Sequence, residues 1–199
     1  MISLYSGTPG SGKSLSAAYL IIRCLKRKCN VIANFHINMD YFKKYKKPMG
    51  DFVPLDNSEM TVRFLKDYAK ENHKAFREHQ TLIIIDECAI KFNSRTSMDK
   101  DRLEWITFFQ QHRKLGFDVV LISQSDKLID RQIRAFIETE FKHRNLKNYK
   151  TFGFILSILF GGFFCQVENW YGMRLKVGHR FFLLNKKKAN IYNTYQIFE

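Results

Sequence analysis

Residues 7–14 read Gly7-Thr8-Pro9-Gly10-Ser11-Gly12-Lys13-Ser14, a full match to G-x-x-x-x-G-K-[ST]. No other stretch restricts the fold of this chain so strongly. Glycines let backbone N–H groups close around a phosphate with no Cβ in the way. The arrangement works when a strand delivers the loop and a helix starts on it, so that the helix dipole adds its positive end. Both flanks fit. "MISLYS" before the loop is a short apolar run, and Leu15, Ala18, Ile22 and Leu25 after it recur at helical spacing. The reading is a strand up to Gly7 and a helix from Ser14 to about Lys28 with a basic tail. Lys13 is placed to reach the β- and γ-phosphates, and the Ser14 hydroxyl is a ligand for Mg²⁺. The expected nucleotide-binding run is Gly7, Thr8, Pro9, Gly10, Ser11, Gly12, Lys13, Ser14 and Leu15.

Strands and helices then alternate. "NVIANF" (30–35) reads as a strand, and 41–52 as a basic surface loop with Pro48 and Gly50. A helix is expected over 56–76, where Asp56 and Glu59 have capping-box spacing. "TLIIID" (81–86) and "FDVVLIS" (117–123) are continuous apolar runs, the mark of strands buried on both faces. Between them, 99–116 reads as an amphipathic helix ended by Gly116, and "KLIDRQIRAFIE" follows as a further helix. After residue 137 the pattern changes to shorter strands in "IETEFKHR", "FCQVENWYG" and "RFFLL". The expectation is an α/β fold of the P-loop NTPase class: a mainly parallel sheet flanked by helices, with a small C-terminal antiparallel strand extension. The division expected is a core over 1–140 and a basic, aromatic-rich extension over 141–199 packed on it.

A phosphate loop alone says binder; hydrolysis also needs an acid near the metal and a group to orient water. Asp86, ending a buried strand, is placed to hold Mg²⁺ through water, and Glu87 beside it can polarise the attacking water. Gln124 follows the apolar run 119–122 and can contact the γ-phosphate or the water. A cation against the γ-phosphate completes such a site. Arg113, Arg131 and Arg134 are candidates, acting from a neighbouring subunit because Lys13 is committed. Glu87 and Gln124 speak against a small-molecule kinase, which needs no water-polarising acid.

Together, GTPGSGKS, IIIDE and "QQHRKLGFDVVLISQSDKLIDRQIRAFIE" resemble the Zot family, the zonular occludens toxin-like proteins of filamentous phages. The residues that carry the likeness are His112-Arg113, Gly116, Gln124, Leu128, Asp130 and Arg134, with "ANIYNTYQIF" at the end of the domain. The resemblance implies a P-loop ATPase related to the FtsK/HerA pumping motors, driving assembly and extrusion of filamentous phage at the host inner membrane. It implies ATP-site roles for Lys13, Ser14, Asp86, Glu87 and Gln124, and a Gln124 strand lying between the P-loop strand and the Asp86 strand. It also implies oligomeric rings, with ATP, Mg²⁺ and phage assembly or coat proteins as partners. The alternative reading is a nucleotide-gated membrane or coat-protein adaptor with little hydrolysis.

Charge bears on the partners. The net charge is +14, and residues 141–199 hold ten basic and two acidic residues. That predicts an anionic partner: nucleotide, nucleic acid or an acidic membrane surface. The four cysteines, at 24, 29, 88 and 165, have no metal or CxxC spacing and read as reduced thiols. No signal peptide precedes the first strand, so a cytoplasmic domain peripheral to the membrane is expected. The one apolar stretch of note, 151–165, is fifteen residues long. As a helix it would rise roughly 22 Å against a hydrocarbon core of about 30 Å. Basic residues flank it on both sides, so a single span is not expected there.

Overall fold

The computed structural model describes residues 1–93, 100–148 and 161–192. One eight-stranded sheet organises them: β1 (Ile2–Ser6), β2 (Asn30–Ala33), β3 (Phe52–Pro54), β4 (Thr81–Ile85), β5 (Phe117–Ile122), β6 (Thr139–Asn145), β7 (Phe163–Trp170) and β8 (Leu175–Leu183). Their order is β3-β2-β4-β5-β1-β6-β7-β8. The first six run parallel, and β7 and β8 add on antiparallel. The helices are α1 (Lys13–Lys26), α2 (Val62–Asn72), α3 (Cys88–Lys91), α4 (Lys100–Gln111), α5 (Arg131–Arg134) and α6 (Lys186–Ala189).

The unbroken apolar runs are explained by burial on two faces. In β4, Ile83 and Ile85 face one core while Leu82 and Ile84 face the other. In β5, Val119 and Leu121 divide from Val120 and Ile122 in the same way. The first core is filled by aromatic residues of α4, where Trp105, Phe108 and Phe109 pack against Phe92 and Phe117. The second lies under α1, whose Ala17, Ala18, Ile21, Ile22 and Leu25 form one buried face. Small residues at 17 and 18 let that helix approach the sheet closely, which sets the height at which the loop before it sits.

Three local expectations change. The loop expected over 41–52 ends in an edge strand, because the backbone from Phe52 to Pro54 pairs with β2. Pro54 is tolerated there since its missing N–H lies on an edge strand. The Asp56–Glu59 pair does interact, with the Asp56 N–H donating to the Glu59 carboxylate at 3.0 Å, but it closes a turn. The helix starts later, capped by the Thr61 hydroxyl, which accepts from the Phe64 N–H at 3.2 Å. The helix expected over 127–138 is broken into a 3-10 turn, Asp126–Leu128, and the single turn of α5, capped by Asp130. The division at residue 140 falls inside β6, which pairs with β1 on one side and β7 on the other. Of the apolar stretch 151–165, residues 151–160 lie outside the described residues, and Phe163–Cys165 belong to β7. No helix among the described residues is long and apolar enough to cross a membrane.

Candidate nucleotide site

The glycine-rich run links β1 to α1 at the C-terminal ends of the parallel strands. Two glycines are obligatory. Gly7 has φ +141°, and a Cβ there would lie 2.5 Å from the His143 carbonyl oxygen of β6. Gly12 has φ +96°, and a Cβ would lie 2.7 Å from the Phe164 ring of β7. The loop is thus wedged against the C-terminal strands. Its other side is tied to β5, because the Gly7 N–H donates to the Gln124 carbonyl at 3.3 Å. Lys13 curls back over the loop, its ammonium donating to the carbonyls of Gly7 at 2.7 Å and Thr8 at 3.2 Å. Burial lowers its pKa, and the charges of Asp86 and Glu87 oppose that shift.

Asp86 directly follows β4 and is buried. Asn34, just past β2, holds its backbone from both sides. The Asp86 N–H donates to the Asn34 amide oxygen at 2.7 Å, and the Asn34 amide nitrogen donates to the Asp86 carbonyl at 2.9 Å. One Asp86 carboxylate oxygen accepts from the Glu87 N–H at 2.7 Å, and the other accepts from the Tyr192 hydroxyl. Burial raises the Asp86 pKa, while the bonds from Tyr192 and Glu87 and the charge of Lys13 lower it. Glu87 has φ +44°, a left-handed conformation that a non-glycine residue adopts at a cost of roughly 1–2 kcal/mol. That turn aims its side chain into the cavity. Its pKa is raised, first by burial and then by Asp86, with Lys13 opposing. A carboxylate poised upward is a stronger base at neutral pH.

These parts enclose one cavity of about 550 Å³, lined by Pro9–Leu15, Asp86, Glu87, Gln124, Phe164 and Tyr192 among others. Ser14 comes to it from the first turn of α1 and Asp86 from the end of β4, where Asp86 accepts from the Tyr192 hydroxyl. Two hard oxygen donors lining one cavity suit Mg²⁺. Gly7 and Thr8 back the loop through their carbonyls. Gln124 is exposed and follows β5, which lies between β1 and β4 as the resemblance implies.

The arginines do not line this cavity. Arg113 lies just before β5, at the opposite end of the sheet, and pairs with Glu78 at 3.1 Å. Arg134 is half-buried in a basic cleft beside β6, 4.0 Å from Asp126. Arg131 is exposed on α5.

Asn34, His143 and Phe164 belong to none of the motifs, and Tyr192 falls in "ANIYNTYQIF" with no role assigned to it. Asn34 had a signal, a polar residue within the apolar "NVIANF". His143 is buried beneath the loop, and the Gln166 amide nitrogen lies 3.3 Å from its Nε2. An amide nitrogen only donates, so Nε2 accepts and the ring is neutral. Burial pushes its pKa down to about 4. Its folded pKa is thus below the unfolded value of about 6.5, so its contribution is complete above that pH and is lost as pH falls toward 4. The expected loss is about 3 kcal/mol across that window. Urea midpoints at a series of pH values should fall between 6.5 and 4, with a shallower slope in His143→Asn. An unchanged slope in that variant would remove His143 from the account.

A family model described as Zonular occludens toxin (Zot) matches residues 1–186. The Gene 1 protein of Enterobacteria phage I2-2 is 32% identical over 167 residues, covering 81% of this chain and 45% of that protein. The Gene 1 protein of Salmonella phage IKe is 30% identical with the same coverage, so this chain spans under half the length of these relatives. In fold, the chain is similar to the N-terminal domain of zonular occludens toxin from Neisseria meningitidis, with a TM-score of 0.58, 18% identity and coverage of 96% and 98%. It is also similar to the genome packaging NTPase B204 of Sulfolobus turreted icosahedral virus 2, solved with ATP-gammaS, with a TM-score of 0.53, 15% identity and coverage of 90% and 95%. Fold, phosphate loop and sequence match agree: the chain belongs to the Zot family.

Proposed function

We propose that this chain binds ATP with Mg²⁺ and hydrolyses it to drive filamentous phage assembly and extrusion at the cytoplasmic face of the host membrane. One observation carries the chemical part: Lys13 and Ser14 share a cavity with the Asp86–Glu87 pair, and Glu87 has a raised pKa. Magnesium, held by Ser14 and Asp86, would offset phosphate charge. Glu87 takes the proton of the attacking water, Lys13 leaves its loop carbonyls for the phosphates, and Gln124 orients the water or senses the γ-phosphate. The biological part is supported by the Gene 1 relatives of filamentous phages.

A homo-oligomer fits this reading, because an arginine must then come from a neighbouring subunit. Arg113, Arg131 and Arg134 are the candidates, since none of them lines the cavity of its own chain. The cations of residues 141–199 suit an acidic membrane surface or nucleic acid. The second reading, a nucleotide-gated adaptor for membrane or coat protein, draws on the exposed apolar side chains of Trp170, Leu175, Val177 and Phe181 on β7 and β8.

Virion release from cells producing the phage, with each variant as the only copy of the protein, separates the two. A motor requires hydrolysis, so Glu87→Gln and Lys13→Ala should each lower release by about a hundredfold or more. If Glu87→Gln releases virions normally and Lys13→Ala does not, the adaptor reading stands instead.

A further inference from the structure

We propose that Tyr192 and the divalent cation of the nucleotide site compete for the Asp86 carboxylate, so that loading the site releases the segment Asn185–Tyr192. The inference rests on the nucleotide reading above and assigns that site a built-in reporter. The Tyr192 hydroxyl donates to one Asp86 carboxylate oxygen. The other Asp86 oxygen is committed to the Glu87 N–H at 2.7 Å. The phenol therefore shares the cavity with Ser14 while its hydrogen occupies an Asp86 oxygen. A hard cation takes oxygen lone pairs and repels a hydroxyl hydrogen directed at its own ligand. The phenol hydrogen and the cation thus draw on the same carboxylate.

The segment is built to be held and released. Tyr192 packs edge-on against Phe35 with ring centroids 4.4 Å apart and forms an antiparallel bridge with Ile37. The Asn38 N–H donates to the Ile191 carbonyl at 2.8 Å. At the other end the Asn185 N–H donates to the Tyr19 hydroxyl at 3.1 Å, and the Lys188 ammonium lies over the Tyr19 ring. One clip is thus on α1, which starts at the phosphate loop, and the other is on the chain following β2, which pairs with the Asp86 strand. Between them lies a single helical turn, a unit small enough to open locally without unfolding the domain.

Hydrogen exchange of the full chain tests this, with the analogue ATPγS and either Mg²⁺ or a chelator. The amides of Asn38 and of residues 189–192 should exchange about tenfold faster with Mg²⁺ than with the chelator. Tyr192→Phe keeps the ring against Phe35 and removes the hydroxyl, so its apparent Mg²⁺ affinity in the presence of ATPγS should rise about tenfold. Unchanged exchange, or a variant that binds Mg²⁺ no more tightly, overturns the competition. Weaker Mg²⁺ binding by the variant would make Tyr192 a support for the metal, which also overturns it. ATPγS binding in the same samples keeps the two readings apart. If the analogue binds and the segment does not respond, only this inference fails; if the wild type binds no analogue, the nucleotide reading fails with it.

Discussion

Glu87→Gln should leave ATP bound and unhydrolysed, with turnover reduced by about a thousandfold and affinity within about threefold of wild type. Glutamine keeps the length of the side chain and its place in the cavity, and it can still hydrogen-bond a water. What it loses is the ability to take a proton. The environment explains why that loss matters: burial and the neighbouring Asp86 both raise the Glu87 pKa, which makes it a better proton acceptor than a solvated carboxylate. Binding should not suffer, because the change removes a negative charge that faces an anionic ligand. Equilibrium binding of a fluorescent ATP analogue and steady-state phosphate release, measured on the same preparation, check the two halves. Equal losses in both would mean that Glu87 holds the site together and does not act on water.

Lys13→Ala should show the opposite split, with ATP affinity lowered about a hundredfold or more and the fold intact. An ammonium within about 4 Å of a phosphate charge is worth on the order of 4 kcal/mol at a partly screened site. The folded protein itself gains little from this lysine. Its ammonium is part-buried and satisfied by two loop carbonyls, while burial lowers its pKa, a sign that the site disfavours the charge in the ligand-free arrangement. Thermal unfolding of Lys13→Ala should therefore match wild type within a few degrees. A large drop in Tm would show that the lysine braces the loop and would make its binding defect uninformative.

The parts of this site that follow from local sequence were legible in advance. The phosphate loop, the acid pair after a buried strand and Gln124 each sit at the tip of a strand, and strand tips in a parallel sheet converge at one end. Asn34 and Tyr192 were not legible, because their roles come from pairing between distant segments. Asn34 acts only because β2 lies beside β4, which lets one amide bond both sides of the Asp86 backbone. Tyr192 acts only because the chain returns after β8 to cross the end of the sheet. Arg113 shows the converse. It belongs to the stretch that most resembles the family, yet it lies at the far end of β5 from the cavity and is paired with Glu78. The strand read over 117–123 separates it from Gln124, so the two lie at opposite ends of β5. In the fold, the long helices and buried strands followed from periodicity. The edge strand β3 was hidden because three residues ending in proline carry too little pattern to be read.

Phosphate release from ATP by the purified full chain, set beside Lys13→Ala under identical conditions with and without acidic vesicles, tests the central claim most directly. Mg²⁺-dependent release by the wild type should stand well above that of the variant in at least one condition. Release no faster than Lys13→Ala in every condition would contradict it.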